Sequence, residues 1–428
     1  MYISDLLRFL NDSPVNFLAA KTIEERLKAA GFRRLDPRDA WDIRPGDRCY
    51  MVKNDSAVFA FVAGSDAKAG FHIISAHSDS PGFRIKPNAE TVGEGNLLKL
   101  NTEVYGGPIL STWFDRPLSV AGRVIVKSDN PLRPRSICVK IDRPLLTIAN
   151  LAIHFNRAVN DGYKISKQQD TLPIAGIVSD ELEKGKVLLN LIAEKAGVPA
   201  SDILDFDLSL YDTTPACTFG LNNELISSGR LDDLSMVHAA LTAIIETASV
   251  PTAATRVMAI FDNEETGSGT KQGAASPVLV NALRRITARL GGAQEDFYRA
   301  LASTFLISAD NAHAFHPNYS SKYDPTTHAV LGGGPTIKIN ANCKYMTDAD
   351  TAATFASICR EAGVPFQYFV NHSDVAGGST LGNILTSQMD IRGVDMGAPI
   401  LAMHSCRETQ SADDHVYTIK AFSQFFRL

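Results

Sequence analysis

Residues able to bind a metal ion recur where the predicted β-strands of this chain end. In open α/β sheets, ligands bind outside the carboxyl ends of the strands, so residues distant in sequence can meet at one edge. Two histidines with several carboxylates suit a pair of divalent cations, and imidazole ligands favour zinc, cobalt or manganese over calcium or magnesium. The candidates are His77, the pair Glu264 and Glu265, Asp310, His404 and, just before a predicted helix, Asp232.

Two short motifs carry most of this expectation. In His77-Ser78-Asp79, the carboxylate that follows the histidine can hold its second ring nitrogen, which would fix the tautomer and the basicity of the ligand. In Glu264-Glu265, the adjacent carboxylates repel each other unless a cation or a proton separates their roles. One glutamate can therefore bind metal while the other takes a proton from water.

Each candidate also has a purely structural interpretation. The H-x-D motif is common by chance, and two neighbouring glutamates are often a solvated turn. Asp310 could begin a turn, and His404 could be a hydrogen-bonded core histidine. Asp232 and Asp233 could be helix-capping acids that the helix dipole favours. Their shared position at predicted element ends favours one common site over separate structural roles.

The segments that carry these residues alternate between predicted strands and helices. Apolar, β-branched runs bounded by Gly, Asp or Lys predict strands, whereas segment 231–248 has apolar residues at helical spacing. Strands are predicted at 56–64, 71–77, 256–265, 303–312, 334–340 and 398–405. This alternation predicts an α/β sandwich.

The N-terminal segment is predicted to be helical. Leu6, Leu7 and Leu10 recur at helical spacing, which predicts a first helix. Thr22 and Glu25 have the spacing of a capping box, so we predict that a second helix opens there and stops at Gly31.

Between about 92 and 230 the pattern changes to short predicted strands separated by turn residues. NLLKLNTEVYGG, PLSVAGRVIVK and RSICVKI predict strands, and a helical stretch follows near 180–197. We therefore predict an inserted, mainly-β domain at 92–230 within a discontinuous α/β domain formed by 1–91 and 231–428. A chain of 428 residues is also longer than a single core usually supports.

Composition argues against several classes of function. The net charge is 42 − 47 = −5, and basic stripes with interleaved aromatic residues are absent, so we expect no nucleic acid partner. No apolar stretch reaches the roughly 18 residues of a membrane span, and the N-terminal segment does not read as a signal peptide. The six cysteines form no C-x-x-C pair, which predicts reduced thiols and a cytoplasmic protein.

Nearly the whole chain resembles the aspartyl aminopeptidases, the M18 family of cocatalytic zinc metallopeptidases. The blocks that carry the resemblance are SAHSDSPGFRIKP (75–87), YGG with WFDRPLSVAGR (105–123), NLAIHFNR (150–157), SGRLDDL (228–234), FDNEETGSGTKQGAASP (261–277), SADNAHAFHPNY (308–319) and LAMHS (401–405). The resemblance implies an α/β/α sandwich metallopeptidase domain with an inserted, mainly-β dimerisation domain.

The resemblance also implies a role for each candidate at the metal centre. Two divalent ions, zinc or alternatively cobalt or manganese, would be bridged by Asp232. This residue is preferred to Asp233 only because the family pattern places the ligand directly after Arg-Leu. Glu264 would be the general base, and Asp79 would orient His77. The implied metal ligands are His77, Asp232, Glu265, Asp310 and His404.

Two further residues are implied to contact the substrate. Lys338 matches a family lysine at the substrate side chain, and its alternative is a snorkelling strand residue. His154 matches a histidine that reaches the active site of a neighbouring subunit, which implies a homo-oligomer, a dodecamer built from dimers. Its alternative is a buried, hydrogen-bonded histidine. The segment NHSDVAGGST (371–380) departs from the expected glycine- and cysteine-containing loop, which leaves specificity less determined than chemistry.

The predicted function is therefore metal-dependent removal of N-terminal residues, preferentially aspartate or glutamate, from peptides with a free amino terminus. Two alternatives retain the same shell of residues. One is a broad or neutral aminopeptidase or a deacylase of the same superfamily, and the other is a non-catalytic assembly protein. A panel of aminoacyl reporters distinguishes the predicted activity from the broad or neutral aminopeptidase or deacylase. Absence of all peptidase activity despite bound metal would indicate the assembly protein.

Overall fold

The computed structural model describes residues 1–178 and 186–428, which divide into two units. The first unit contains residues 1–79, 216–403 and 408–428. The second contains residues 80–215, apart from the undescribed 179–185, together with 404–407. Within the described residues, no helix is both long and apolar enough to cross a bilayer.

The first unit is built on a mixed sheet of nine strands among the described residues. These strands are β1 (Arg33–Arg34), β2 (Arg48–Lys53), β3 (Ala57–Val62), β4 (Phe71–His77), β13 (Thr255–Phe261), β14 (Phe305–Ala309), β16 (Thr336–Lys338), β17 (Gln367–Phe369) and β18 (Arg392–Gly397). Their spatial order is β1-β2-β3-β13-β4-β14-β18-β16-β17. The central strands β13, β4, β14 and β18 run parallel to one another, and β13, β4 and β14 are mostly apolar, as expected for strands covered on both faces.

Helices cover both faces of this sheet. They are α1 (Tyr2–Asp12), α2 (Asn16–Ala29), α4 (Leu231–Thr247), α5 (Val278–Arg289), α6 (Gln294–Ala302), α7 (Ala349–Glu361), α8 (Leu381–Thr386) and α9 (Ala412–Phe425). Successive strand residues point to opposite faces, so Ile74 belongs to the buried cluster that includes side chains of α1, α2, α4, α7 and α9, whereas Ile73 belongs to the cluster that includes side chains of α5, α6 and α8. The predicted α/β/α sandwich is therefore confirmed.

A smaller sheet of five described strands completes the first unit. It contains β11 (Cys217–Phe219), β12 (Leu225–Ser228), β15 (Ala312–His313), β19 (Pro399–Leu401) and β20 (Glu408–Ser411). The strand predicted at 398–405 is thus shorter and belongs to this sheet, whereas the neighbouring strand of the main sheet is β18. The sequence of β18, RGVDMG, has no apolar run that would have predicted it.

The start of the second helix was predicted wrongly. α2 begins at Asn16, and Thr22 lies inside it, where its hydroxyl donates to the carbonyl of Asp12 at 3.4 Å. The reason is packing: the residues Phe17 to Ala20 are buried with Ile23, and burial of an apolar face determines helix extent more strongly than a local capping motif. The predicted end near Gly31 is confirmed.

The second unit is a six-stranded sheet within the described residues. Its strands are β5 (Gly82–Val92), β6 (Leu97–Tyr105), β7 (Leu118–Val126), β8 (Arg135–Lys140), β9 (Ile174–Ile177) and β10 (Ile203–Asp212), in the order β8-β7-β10-β5-β6-β9. The helix predicted near 180–197 is α3 (Val187–Ala196), and the part at 179–185 lies outside the described residues. β5 pairs with β6, so this unit begins at Ser80, upstream of the predicted boundary at 92.

Candidate metal centre

Three neighbouring parallel strands of the first unit bring the predicted residues to one edge of the sheet. β4 lies between β13 and β14, and His77 is its last residue. Asp310 follows directly after β14, and a short turn after β13 carries Glu264 and Glu265. The carboxyl ends of parallel strands lie at the same edge, which is why these residues meet although they are distant in sequence.

The ring of His77 is held in one orientation. Its Nδ1 lies 3.0 Å from the carbonyl oxygen of Asp79 and 3.5 Å from the Oδ1 of the same residue. In the neutral ring we assign the proton to Nδ1, which donates to this carbonyl and leaves the lone pair on Nε2. Nε2 in turn lies 3.5 Å from Oδ1 of Asp232. The nitrogen suited to bind a cation thus points at a carboxylate.

The carboxylate of Asp79 braces the glutamate turn. Its two oxygens accept the backbone N–H groups of Glu264 at 3.1 Å and of Glu265 at 3.2 Å. The predicted role of Asp79 was to orient His77 through this carboxylate, whereas the nearer contact is made by its backbone carbonyl. One residue therefore fixes both the histidine and the two glutamates.

The two aspartates at the start of α4 make different contacts. Asp233 accepts the backbone N–H of His77 through Oδ2 at 3.1 Å. Asp232 faces the imidazole Nε2, and its own backbone N–H donates to Oε2 of the buried Glu408 at 3.1 Å. One oxygen of Asp233 is therefore used on the backbone of His77, whereas Asp232 faces the imidazole, and the preference for Asp232 over Asp233 as the metal ligand stays a prediction.

The side chains of the cluster lie close enough together to bind a cation. One possible ligand atom from each of His77, Asp232, Asp233 and Asp310 lies within 4.8 Å of all the others, and the same holds for His77 with Glu264 and Glu265. Asp233 is fully buried, and its Oδ1 has no hydrogen-bond partner among the described residues. Because buried carboxylates need a compensating charge, this donor set fits divalent metal ions.

The pKa values report the same excess of negative charge. Burial, followed by the charges of Asp310 and Asp232, raises the pKa of Asp233 well above its ordinary value, although His77 opposes this. Burial raises the pKa of Glu264 to about 7, against the influence of His77 and with the help of Asp310. Burial works to lower the pKa of His77, but Asp233 and the other carboxylates raise it well above 6.5.

Lys338 lies beside this cluster rather than at the surface. It is the last residue of β16, its side chain is 5% exposed, and its Nζ lies 3.3 Å from Oδ1 of Asp310. Burial opposes protonation, but the charge interactions with Asp310 and then Tyr345 raise the pKa of Lys338, so the ammonium is retained. The snorkelling alternative needs an exposed ammonium, which this position does not provide.

The remaining two predicted residues belong to the second unit. His404 has a positive φ of 68°, and its Nδ1 lies 3.1 Å from the carbonyl of Gly107. Its role as a metal ligand stays a prediction from the resemblance. His154 is exposed, so the buried alternative does not hold, and its predicted reach into a neighbouring subunit also stays a prediction.

Some supporting residues were not found from the sequence. Glu408, which accepts from the backbone of Asp232, belongs to no motif that we recognised. Asn263, with a φ of 63°, accepts from Thr270 and Gln272 and so closes the turn that carries the glutamates. A positive φ is tolerated by asparagine, so Asn263 next to Glu264 could have indicated this turn.

Comparison with known proteins also indicates a metal-binding site, as the geometry does. The family described as "Aminopeptidase I zinc metalloprotease (M18)" matches residues 9–426. A relative from Clostridium novyi, "Probable M18 family aminopeptidase 2", is 50% identical over 100% of this chain and 99% of its own. A solved structure of the Ape4 and Nbr1 complex has a TM-score of 0.95 at 36% identity, covering 100% of this chain and 85% of that chain.

A solved assembly is also similar in structure. The S. cerevisiae mApe1 dodecamer matches with a TM-score of 0.86 at 25% identity, over 99% of this chain and 96% of that chain. The family match covers more than nine-tenths of the sequence, and half of the residues are identical in a full-length relative. The chain therefore belongs to the M18 family of zinc metalloproteases and is a metallo-aminopeptidase.

Proposed function

We propose that this aminopeptidase removes N-terminal aspartate and glutamate in preference to other residues, at a centre of two divalent ions with Glu264 as the general base. The observation that carries the proposal is the buried group of carboxylates around His77, with the ammonium of Lys338 beside it. The proposed ligands are His77, Asp232, Glu265, Asp310 and His404, the last on the resemblance alone.

The ions would supply electrostatic activation. When bound, divalent ions polarise a carbonyl group and lower the pKa of a water molecule from 15.7 toward about 7. Asp232 would hold both ions, because a carboxylate offers two oxygens and its Oδ1 already faces Nε2 of His77 at 3.5 Å. Zinc is our choice of metal because the family is described as a zinc metalloprotease, and the mixed imidazole and carboxylate donors suit it.

Glu264 is the proposed group for proton transfer. Its backbone N–H is anchored on Asp79 at 3.1 Å, and burial raises its pKa to about 7. A carboxylate with a pKa near the working pH can take a proton from the attacking water and then return it to the leaving amine. Glu265, anchored on the same carboxylate at 3.2 Å, remains available to bind metal.

Lys338 is proposed to recognise an acidic substrate side chain. An ammonium has three donors, and the contact with Asp310 at 3.3 Å accounts for one of them. A charge-assisted hydrogen bond contributes about 1.5–3 kcal/mol, which corresponds to roughly tenfold to a hundredfold preference over a neutral substrate. The buried position strengthens this contact, because water competes less for the ammonium.

We also propose that the chain assembles as a homo-oligomer, and that the partner's His154 contributes to each active site. The support is the exposed segment around His154, where Leu151 is 60% exposed, Ile153 49% and Phe155 81%. Exposed apolar side chains this close together are typical of a protein interface. The similar mApe1 structure is a dodecamer, which favours the same assembly for this chain.

Metal analysis combined with three reporters tests the proposed function. We expect two bound divalent ions per chain, loss of activity on chelation, and faster cleavage of Asp- and Glu-initiated reporters than of a Leu-initiated reporter. Equal cleavage of all three would reject the acidic preference. A single ion per fully active chain would reject the two-metal centre.

Replacing the lysine tests its role directly. We expect Lys338→Met to lower kcat/KM for the Asp- and Glu-initiated reporters by roughly tenfold to a hundredfold and to spare the Leu-initiated reporter. Metal content is measured on the same samples, since Asp310 loses its ion pair. Lys420→Met, at an exposed position on α9, is the matched control. Equal losses on all three reporters would exclude this role.

A further inference from the structure

A glycine-rich loop at residues 330–334 leads into β16, the strand that ends in Lys338. Gly332 has a φ of +82° and Gly334 a φ of +89°, which disfavours other residues at both positions. A Cβ at Gly334 would also lie 2.2 Å from the carbonyl oxygen of Pro365. These constraints restrict the backbone conformation of the loop that precedes β16.

A buried carboxylate holds the loop from one side. Asp414, in the first turn of α9, is fully buried. Its Oδ1 accepts the N–H of Gly334 at 2.7 Å, and its Oδ2 accepts the N–H of Gly332 at 2.8 Å. Both carboxylate oxygens are thus used on two backbone groups of one loop, and ionised acceptors make the stronger hydrogen bonds.

An amide side chain holds the same loop from a neighbouring strand. Gln367, the first residue of β17, accepts the N–H of Val330 through Oε1 at 2.9 Å. Its Nε2 donates to the carbonyls of Val330 at 2.8 Å and Gly334 at 3.1 Å. Both the oxygen and the nitrogen of this amide are therefore hydrogen-bonded to the loop. A Cβ at Gly333 would lie 2.5 Å from the same amide, so the loop and Gln367 also fit closely.

The strand that follows is short, it is buried between two neighbouring strands, and the loop fixes the point at which it begins. β16 has three residues, pairs with β18 at Thr336 and Ile337 only, and pairs with β17 from Thr336 to Lys338. A shift of about 1 Å in this strand would break the 3.3 Å contact between Lys338 and Asp310, because charge-assisted hydrogen bonds are lost beyond about 4 Å. The position of the ammonium therefore depends on where the loop starts the strand.

We infer that Asp414 and Gln367 are positioning residues for Lys338, which they place through the loop at 330–334. Neither side chain is assigned a contact with substrate or metal. Their effect is on the specificity of the enzyme, since they hold the ammonium that selects an acidic substrate. This inference rests on the proposed role of Lys338 in substrate recognition.

The variant Asp414→Asn tests the inference. An amide cannot accept from both glycine N–H groups, so at least one of the two hydrogen bonds is lost without a change in side-chain size. We expect faster hydrogen–deuterium exchange in the peptides that cover 330–338. We also expect kcat/KM for the Asp-initiated reporter to fall about tenfold, mainly through KM, with the Leu-initiated reporter nearly unchanged. Assays at about pH 8.5 keep the wild-type carboxylate ionised, since burial raises the pKa of Asp414 to about 7.

The controls separate positioning from a general loss of structure. Asp413→Asn makes the same change of charge in the same helical turn, at an exposed side chain, and should leave both measurements unchanged. Gln367→Met acts on the loop from the other side and should give the same pattern as Asp414→Asn. Unchanged exchange at 330–338 in both variants would overturn the inference.

The reporter assays distinguish a failure of the positioning inference from a failure of the proposed substrate preference. If Lys338→Met lowers the preference for the Asp-initiated reporter but both loop variants keep it, the positioning role is wrong. If Lys338→Met has no effect on that preference, the proposed specificity is wrong. In that case the exchange at 330–338 alone decides whether the two side chains hold the strand.

Discussion

Carboxylates packed as closely as Asp232, Asp233 and Asp310 repel one another strongly. Two unit charges 4 Å apart interact by about 4 kcal/mol at an effective dielectric constant of 20, and possible ligand atoms of these residues lie within 4.8 Å. Lys338 and the protonated form of His77 each lie beside one or more of these carboxylates. Divalent ions would compensate the remaining charge and release His77 as a neutral ligand.

Glu264→Gln separates proton transfer from metal binding. The amide keeps the shape of the side chain and the anchor on Asp79, which is made by the backbone N–H. It cannot take a proton from water, so we expect kcat to fall by about 10²–10⁴ with the metal content unchanged. Metal analysis and steady-state kinetics on one preparation check this, and Glu295→Gln, at an exposed position on α6, is the control. Full turnover with both ions present would show that another group is the base.

At this scale the sequence predicted the residue types and could not predict their individual contacts. His77, Glu264 and Asp310 were chosen because they follow apolar runs, and the structure brings them together. The difference between Asp232 and Asp233 depends on which carboxylate meets the backbone of His77, a contact across 156 positions of the chain. Glu408 was missed for the same reason, since its partner is the backbone of Asp232, 176 positions away.

Among the elements, apolar strands were predictable and their neighbours were not. β3 and β13 are buried throughout and β4 at every residue except His72, and such runs predict covered strands. β18 contains the buried Asp395, which accepts from Thr380 at 2.6 Å and from the backbone of Met346 at 2.7 Å. These partners make the charge tolerable inside the sheet, and they are contributed by loops that no local pattern connects to the strand.

Helices α1, α4 and α9 are joined by a row of three titratable side chains in contact, of which the two histidines are buried and Asp5 is partly exposed. Nδ1 of His238 lies 2.9 Å from Nε2 of His415, and Nε2 of His238 lies 3.0 Å from Oδ2 of Asp5. Burial lowers the pKa of His415 well below 6.5, with a further contribution from His238 and against that of Asp5. Burial also lowers the pKa of His238, although Asp5 opposes this. Folding therefore favours the neutral form of both histidines.

The two buried histidines predict a loss of protein stability in mild acid. Below the unfolded-state pKa of about 6.5, the unfolded chain binds protons that the folded histidines do not, so stability falls as pH decreases. Each histidine contributes up to about 1.4 kcal/mol per pH unit. We expect the urea midpoint to fall between about pH 7.5 and 5.5, and to fall less in His415→Gln, measured at fixed protein and metal concentrations.

The low pKa of Asp5 does not affect this window. Hydrogen bonding from His238 lowers the pKa of Asp5, so the contribution of Asp5 is lost only in stronger acid, below its ordinary value of 3.8. His313→Gln removes an exposed histidine and is the control. An equal acid shift in wild type and His415→Gln would show that other groups cause it.

For the whole molecule, the exposed segment around His154 is best explained by assembly. Exposure of the apolar side chains of Leu151 and Phe155 to water is unfavourable. Burial of each side chain in an interface would stabilise the assembly by roughly 1.5–3 kcal/mol. Nothing in the sequence of one chain records which copy covers this segment. The proposal therefore depends on the similarity to a dodecameric assembly and is best tested by mixing variants.

A mixture of two inactive variants tests whether active sites are shared between subunits. His154→Phe should lose most activity while it keeps Glu264, and Glu264→Gln should lose activity while it keeps His154. In a pair that contains one of each, the site with Glu264 also receives the partner's His154, so this site is complete. Because dimer interfaces are two-fold symmetric and pairing is random, co-expression in equal amounts should restore about a quarter of the wild-type activity. Two different affinity tags confirm that the co-expressed sample contains mixed assemblies, and its metal content is compared with that of each parent. Activity no greater than the mean of the two parents would mean that each chain completes its own site.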